Sequence, residues 1–461
     1  MGSFLINFKL NKEQPLYEQL YLHIRKKIES GDLLPDTKLP SKRELSRESS
    51  LSQNTIEMAY GQLVTEGYIE ALARRGYFVK DIQHEFNKKQ ASHSKVKEKK
   101  VNDESALYDF FHSGIDTASF PYETYRKVVH DTLKKEDENL LKLGHPQGEF
   151  DLREEIAAYI KETRGVDCLP SQIILGSGTH YLLKLLFQML PDCTYAVEDP
   201  GYHRKYALAY LPDKQVRLVP VDSQGMSLDD LEKSDADICI LTPSHHFPNG
   251  TVMPVSRRAE VLKWVQAKEH RYLIEDDYDS EFRYSGQPIP SLYSLDYSDN
   301  TIYLGNFSKG LMPSLRISYM VLPGKLLQTY QEKLFFYAQT VSRIDQAVLK
   351  EFIQKGHLQK HIQKMKTIYR KKRDTLLSAI SQCFPEDVEV IGQDSGLHVL
   401  LRIPNGMTEK ELIEKALEFD VKVHPISYYG KHDNQTVLIG YGSLSEKEIQ
   451  TAVHLLSKAW F

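Results

Sequence analysis

The chain contains no apolar run of about 18 residues, the length a membrane-spanning helix requires. Its first residues also lack the charged, apolar and small-residue succession of a secretory signal. Neither a spanning helix nor an exported product is expected. Met1-Gly2 does not lead into an acylation signal, because Ile6 stands where Ser or Thr is required. Cysteine is scarce. Cys168, Cys193, Cys239 and Cys383 lie far apart and form no CxxC pair, which reads as free thiols in the reducing cytoplasm, and no metal centre is expected. An excess of positive charge is missing too. The net charge of −4 excludes a uniformly basic nucleic-acid binder while leaving room for a local basic face.

What is present is the composition of a globular protein, 41% hydrophobic and 26% charged. At 461 residues the chain is too long for one core, and two or three domains are expected.

The first 80 residues read as a unit. Between Pro15 and Ser30, Leu16, Leu20, Ile24 and Ile28 fall at helical spacing, and Gly31 ends the run. Ser41-Lys-Arg-Glu44 is a capping box, which predicts a second helix from Ser41. A third begins near Ser52 or Gln53, with Ile56, Ala59, Tyr60, Leu63 and Val64 as its inner face. Two short helices joined by the turn Ser49-Ser50-Leu51-Ser52 suggest helix-turn-helix. Residues Tyr68 to Val79 then form a two-stranded wing with Arg74, Arg75 and Gly76 near its tip. Ser41, Lys42 and Arg43 sit at a helix amino terminus suited to phosphate. Gln53, Asn54 and Thr55 open the helix that would enter a major groove, with Arg75 and Gly76 as wing contacts.

The motifs Leu39-Pro-Ser-Lys-Arg-Glu-Leu45, Ser52-Gln-Asn-Thr-Ile56, Ala59-Tyr60, Glu66-Gly67-Tyr68 and Gly76-Tyr-Phe-Val79 resemble the winged helix of GntR-family transcription regulators. The resemblance implies operator DNA as a partner. Gln53 departs from it, standing where the family usually has Arg.

Residues 81–107 are polar and lysine-rich and are expected to be a flexible linker. From 108 to 461, strands alternate with helical patterns, which favours an α/β domain with a mainly parallel sheet. Ile173-Ile-Leu-Gly-Ser-Gly-Thr-His180 puts Ser177 and Gly178 between a strand and a helix, where backbone N–H groups can approach a phosphate. A tight structural turn explains the glycines equally well. Glu198-Asp-Pro-Gly-Tyr202 ends another strand and aims an aromatic ring at a planar ligand. Arg271-Tyr-Leu-Ile-Glu-Asp-Asp-Tyr-Asp279 is an apolar strand ending in acids, which is costly unless the acids have a task. Lys309 follows a further strand, a place where desolvation frees an amine to attack an aldehyde. Ser308 and Arg316 flank it as anion contacts.

In order, GSGT, EDPGY, SHHFPNG, EDDYDSEFRY and FSKGLMPSLR resemble the fold-type I enzymes that use pyridoxal phosphate (PLP), the aspartate aminotransferase fold. Joined to the winged helix, the whole resembles the MocR/GabR subfamily of GntR regulators. The resemblance implies a homodimer with Lys309 as Schiff-base lysine, Asp276 on the pyridine nitrogen and Tyr278 on the ring oxygen. It also implies Ser177, Gly178, Ser308 and Arg316 on the phosphate, with Tyr202 stacked on the ring. His246 replaces the usual Gln, and Asn306 a common Thr. No Arg follows Arg402, whereas aminotransferases carry a late Arg that clamps the substrate carboxylate, and Lys does not reproduce a bidentate fork. Arg204 is left as an effector contact or a surface ion pair. The expectation is a DNA-binding regulator that senses PLP or a small amine or amino acid and governs vitamin B6 synthesis or amino-compound metabolism. The alternative is a working aminotransferase with an appended DNA-binding domain.

Overall fold

The computed structural model describes residues 14–49, 51–81, 106–284, 289–431 and 435–461. Residues 82–105, most of the expected linker, lie outside them. The chain divides into two compact units, one ending at Asp103 and one beginning at Glu104.

The first unit contains α1 (Leu16–Glu29), α2 (Lys42–Ser49), α3 (Gln53–Thr65), β1 (Ile69–Leu72) and β2 (Gly76–Val79). Leu20, Ile24 and Ile28 of α1 close on Leu45, Ile56, Ala59, Tyr60 and Leu63, with Ile69 and Val79 of the wing beneath them. The capping box forms as expected: the Ser41 N–H donates to Glu44 Oε2 (3.3 Å) and the Glu44 N–H to Ser41 Oγ (3.2 Å). Ser52 caps α3 by accepting from the Thr55 N–H at 3.1 Å. Two expected core residues lie outside the core. Leu16 is 42% exposed because it is the first residue of α1, and Val64 is 36% exposed because it turns one position past Leu63 onto the outer face. Tyr21 OH on Glu66 (2.5 Å) and Tyr68 OH on Glu29 (2.6 Å) tie α1 to the end of α3 and the start of the wing.

The second unit opens with β3 (Tyr108–Asp109). Its large sheet comprises β4 (Ile173–Gly176), β5 (Tyr195–Asp199), β6 (Val216–Asp222), β7 (Gly225–Met226), β8 (Ile238–Leu241), β9 (Tyr272–Asp277), β10 (Thr301–Asn306) and β11 (Ser318–Val321). The spatial order is β4-β11-β10-β9-β8-β5-β6-β7. The run from β10 to β6 is parallel, while β11 is antiparallel to both of its neighbours. Side chains alternate between two cores: Ile240 and Ile274 pack on one face, Cys239, Leu241 and Leu273 on the other. Burial on both faces is why these strands read as continuous apolar runs. In such a sheet, ligands collect beyond the carboxyl ends of the strands. The loops after β5, β8, β9 and β10 all open there.

A smaller sheet, of β12 (Glu389–Ile391), β13 (His398–Arg402), β15 (His424–Pro425) and β16 (Thr436–Gly440), packs on the helices His357–Cys383 and Glu446–Trp460. Between β13 and β15, β14 (Val421–Lys422) turns aside to pair with β3 in parallel.

Arg258 is fully buried and holds the loops around this edge. Its guanidinium donates to the carbonyls of Met253 (3.0 Å), Pro290 (2.7 Å) and Pro243 (2.9 Å). Replacing it strands three buried acceptors. Arg258→Leu should destabilise the second unit by about 3 kcal/mol. Both tryptophans, Trp264 and Trp460, belong to this unit, so a lower urea midpoint in their fluorescence checks the expectation.

Candidate cofactor site and nucleic-acid interface

A cavity of about 180 Å³ opens beyond β9 and β10. Asp276, Tyr278, Ser308, Lys309, Arg316 and Tyr202 all line it. Residues scattered over more than a hundred positions thus meet in one place.

Strand alternation sorts the three acids of β9. Glu275 and Asp277 turn to one face and Asp276 to the other. Asp277 pairs with Arg164 Nε at 2.5 Å and accepts from Tyr303 OH at 2.6 Å; the guanidinium beside it holds its carboxyl below the usual range. Glu275 accepts the backbone N–H groups of Leu292 and Tyr293, both at 2.9 Å, and burial pushes its carboxyl up. Asp276 alone reaches the cavity. His203 Nε2 lies 2.9 Å from its Oδ2, while Oδ1 is buried with no hydrogen-bond partner. No sequence motif drew attention to His203, which is 3% exposed.

Lys309 sits in the turn after β10, where its Nζ donates to the His112 carbonyl at 2.5 Å. Desolvation lowers its ammonium to about 8, against a smaller opposing pull from Asp279. Around it lies an anion cradle. Gly178, at φ 104°, caps the helix Thr179–Met189, and a Cβ there would run into the Arg316 guanidinium. Arg316 itself adopts a left-handed φ of 54°, uncommon for a non-glycine residue, which turns its side chain back towards that helix. Thr179 and Asn306 also line the cavity, and the Asn306 side-chain oxygen accepts the Ser308 N–H at 2.9 Å. Ser177 is placed beside the cradle instead of lining the cavity, its N–H donating to Thr340 Oγ1 at 3.0 Å.

The opposite wall is aromatic and uncharged. The His112 and Phe247 rings stand 5.2 Å apart, and Phe247 and His398 stand 5.0 Å apart. Burial pushes His112 down to about 3 and His398 well below its ordinary value. Tyr278 OH meets His245 Nδ1 at 2.9 Å, and Asp279 meets the same nitrogen at 2.8 Å. His246 is sealed 3.6 Å from Glu198; burial lowers the imidazole to about 3 and raises the carboxyl to about 8, favouring the neutral form of each. Arg204 does not face the cavity: it pairs with Asp199 at 3.2 Å.

In the first unit, Gln53 and Asn54 are exposed at the start of α3, and Arg43 lies on α2. Lys42 is engaged by Glu57 of α3 at 2.8 Å. Thr55 is occupied too, its hydroxyl 2.8 Å from that of Ser52. At the wing tip Arg74 takes a left-handed φ of 60° and Gly76 a φ of 108°, and Arg75 lies over the Phe78 ring at 5.5 Å.

Residues 16–79 match the family described as bacterial regulatory proteins, gntR family, and residues 116–456 match aminotransferase class I and II. An uncharacterized HTH-type transcriptional regulator of Bacillus subtilis, YdeL, is 40% identical over 97% of each chain. The pyridoxine biosynthesis transcriptional regulator PdxR of Corynebacterium glutamicum is 28% identical over 98% of this chain and 97% of its own. The probable rhizopine catabolism regulatory protein MocR of Rhizobium meliloti is 27% identical over 97% and 94%. Among solved structures, kynurenine aminotransferase of Pyrococcus horikoshii superposes with a TM-score of 0.68 at 24% identity, covering 77% of this chain and 91% of that one. That likeness establishes the fold.

The lowered lysine gives a direct test. Reductive methylation with formaldehyde and cyanoborohydride, followed by peptide mass mapping across pH, should show Lys309 becoming reactive with a midpoint near 8. An unperturbed lysine would turn reactive near ~10.4.

Proposed function

The chain belongs to the MocR-like regulators of the gntR family, in which a winged helix is joined to an aminotransferase class I and II unit, and we propose that PLP binds its second unit and is itself the signal that alters DNA binding. It is an HTH-type transcription regulator built on a PLP-dependent fold family.

One observation carries the proposal. A single cavity brings together a lysine of lowered pKa, a carboxylate with an unsatisfied oxygen, and a guanidinium packed on a helix amino terminus. When bound, PLP supplies an aldehyde that condenses with amines and a pyridine ring that withdraws electrons. Lys309 would hold the aldehyde carbon. The free Oδ1 of Asp276 would keep the ring nitrogen protonated, with His203 Nε2 lying 2.9 Å from its other oxygen. Arg316, Gly178, Ser308 and the Thr179–Met189 helix terminus suit the phosphate, and Ser177 borders them. Tyr202 would cover the ring face, and Tyr278, already on His245, would meet the ring oxygen.

PLP as signal is favoured over an amino acid because, among the described residues lining the cavity, the cations at neutral pH are Lys309 and Arg316, both of which PLP would use. The relative named for pyridoxine biosynthesis supports the same reading. A homodimer is part of it: Leu141, Leu143 and Phe336 are 85%, 92% and 77% exposed, and ring contact between His145 and Phe335 (5.4 Å) brings their loops together, an apolar surface suited to a second copy. Operator DNA as a partner supports a cytoplasmic location. No described helix is long and apolar enough to cross a membrane.

Three measurements test the proposal. PLP added to the full-length protein should become fixed to Lys309 on borohydride treatment, and Lys309→Ala should abolish the adduct. Genomic DNA captured by the protein should differ between PLP-free and PLP-saturated samples. GABA should leave the cofactor spectrum unchanged. DNA capture indifferent to PLP, together with a GABA-dependent spectral change, would assign the signal to an amino compound instead.

A further inference from the structure

On α3, Gln53, Asn54, Glu57 and Gly61 share the exposed face, while Ile56, Ala59, Tyr60 and Leu63 face the core. A carboxylate is out of place there, because DNA phosphates repel it. Glu57 is 60% exposed, and its partner is Lys42, the first residue of α2, at 2.8 Å. A pair so exposed contributes little to stability. What the lysine does is neutralise the carboxylate without covering it.

Gly61 is the second observation. Glycine inside a helix is unfavourable relative to alanine, and it is kept where a backbone must be approached closely. Among the described residues nothing requires it here: a Cβ on Gly61 meets no atom within 4 Å. One turn beyond Glu57, the position leaves the exposed face of α3 open to close approach.

We propose that Glu57 is a specificity-determining residue that accepts a hydrogen bond from an exocyclic amino group in the operator's major groove, cytosine foremost, with Gly61 admitting the DNA to the helix backbone. The proposal rests on the reading of α3 as the groove-entering helix. A carboxylate is an acceptor only. Guanine presents acceptors O6 and N7, and thymine the acceptor O4. Adenine sets its N7 acceptor beside its amino group. Cytosine N4 offers a donor alone. Gln53 and Asn54, which both donate and accept, do not impose that choice. Lys42 is a positioning residue, holding the carboxylate and screening it from the phosphates.

The test uses the full-length protein and a duplex library with a randomised core, bound, recovered and sequenced. The wild type should enrich a motif with cytosine favoured ~10-fold at one position, and Glu57→Ala should reduce that to under ~2-fold while leaving the other positions unchanged. Glu57→Gln should move the preference towards adenine. Gly61→Ala should raise the Tm of the winged-helix unit yet weaken binding to the enriched motif about tenfold. An unchanged motif for Glu57→Ala, or tighter binding to every sequence alike, would overturn the role of Glu57. Undiminished binding by Gly61→Ala would overturn the close approach. If the wild type enriched no motif at all, the failure would belong to the DNA-binding reading itself.

Discussion

The buried pair of Arg164 and Asp277 is what allows a central strand to end in three carboxylates. Both side chains are almost sealed from water, and they meet at 2.5 Å. Breaking such a pair costs roughly 3–5 kcal/mol, because the survivor is left charged in a poor solvent. Arg164 also donates to Ser244 Oγ (2.8 Å) and the Ile289 carbonyl (3.2 Å), so it carries no unmet demand. With Asp277 Oδ2 paired to Arg164 and Glu275 held by two backbone amides, the alternation of β9 leaves Asp276 pointing the other way. The orientation of the cavity's carboxylate thus depends on contacts that never touch the cavity.

The same economy governs its charge. Burial pushes His112 and His246 to about 3, and lowers His180 and His398. The histidines are therefore held towards their neutral form, and the ionisable side chains of Lys309, Arg316 and Asp276 line the cavity beside them. Burial lowers the Lys309 ammonium to about 8.

Local chemistry was legible in the sequence. Ser41 with Glu44, and Ser52 before α3, announced helix starts that the backbone adopts within one residue. Lys309 and the acidic end of β9 stood out because a charged side chain after an apolar run is costly without a purpose, while only the resemblance to the aminotransferase fold singled out Asp276. Contacts between distant segments left no such mark. The approach of His203 Nε2 to Asp276 Oδ2 joins positions on separate strand ends. Arg316 was recognisable as a cation, but its left-handed backbone was not, since nothing in Pro-Ser-Leu-Arg demands it. Val64 was assigned to the core by its neighbours' periodicity, which does not locate the edge of the buried arc.

The hydrogen bond from Lys309 to the His112 carbonyl has a reach beyond the cavity. His112 lies just past β3, the strand with which the second unit begins, and β3 is held by β14 through the carboxyl-terminal region. Equilibria that share a bond are reciprocal: whatever alters one member alters the other by the same free energy. A change in the charge on Lys309 therefore bears on how firmly the turn after β10 is tied to the segment that follows β3.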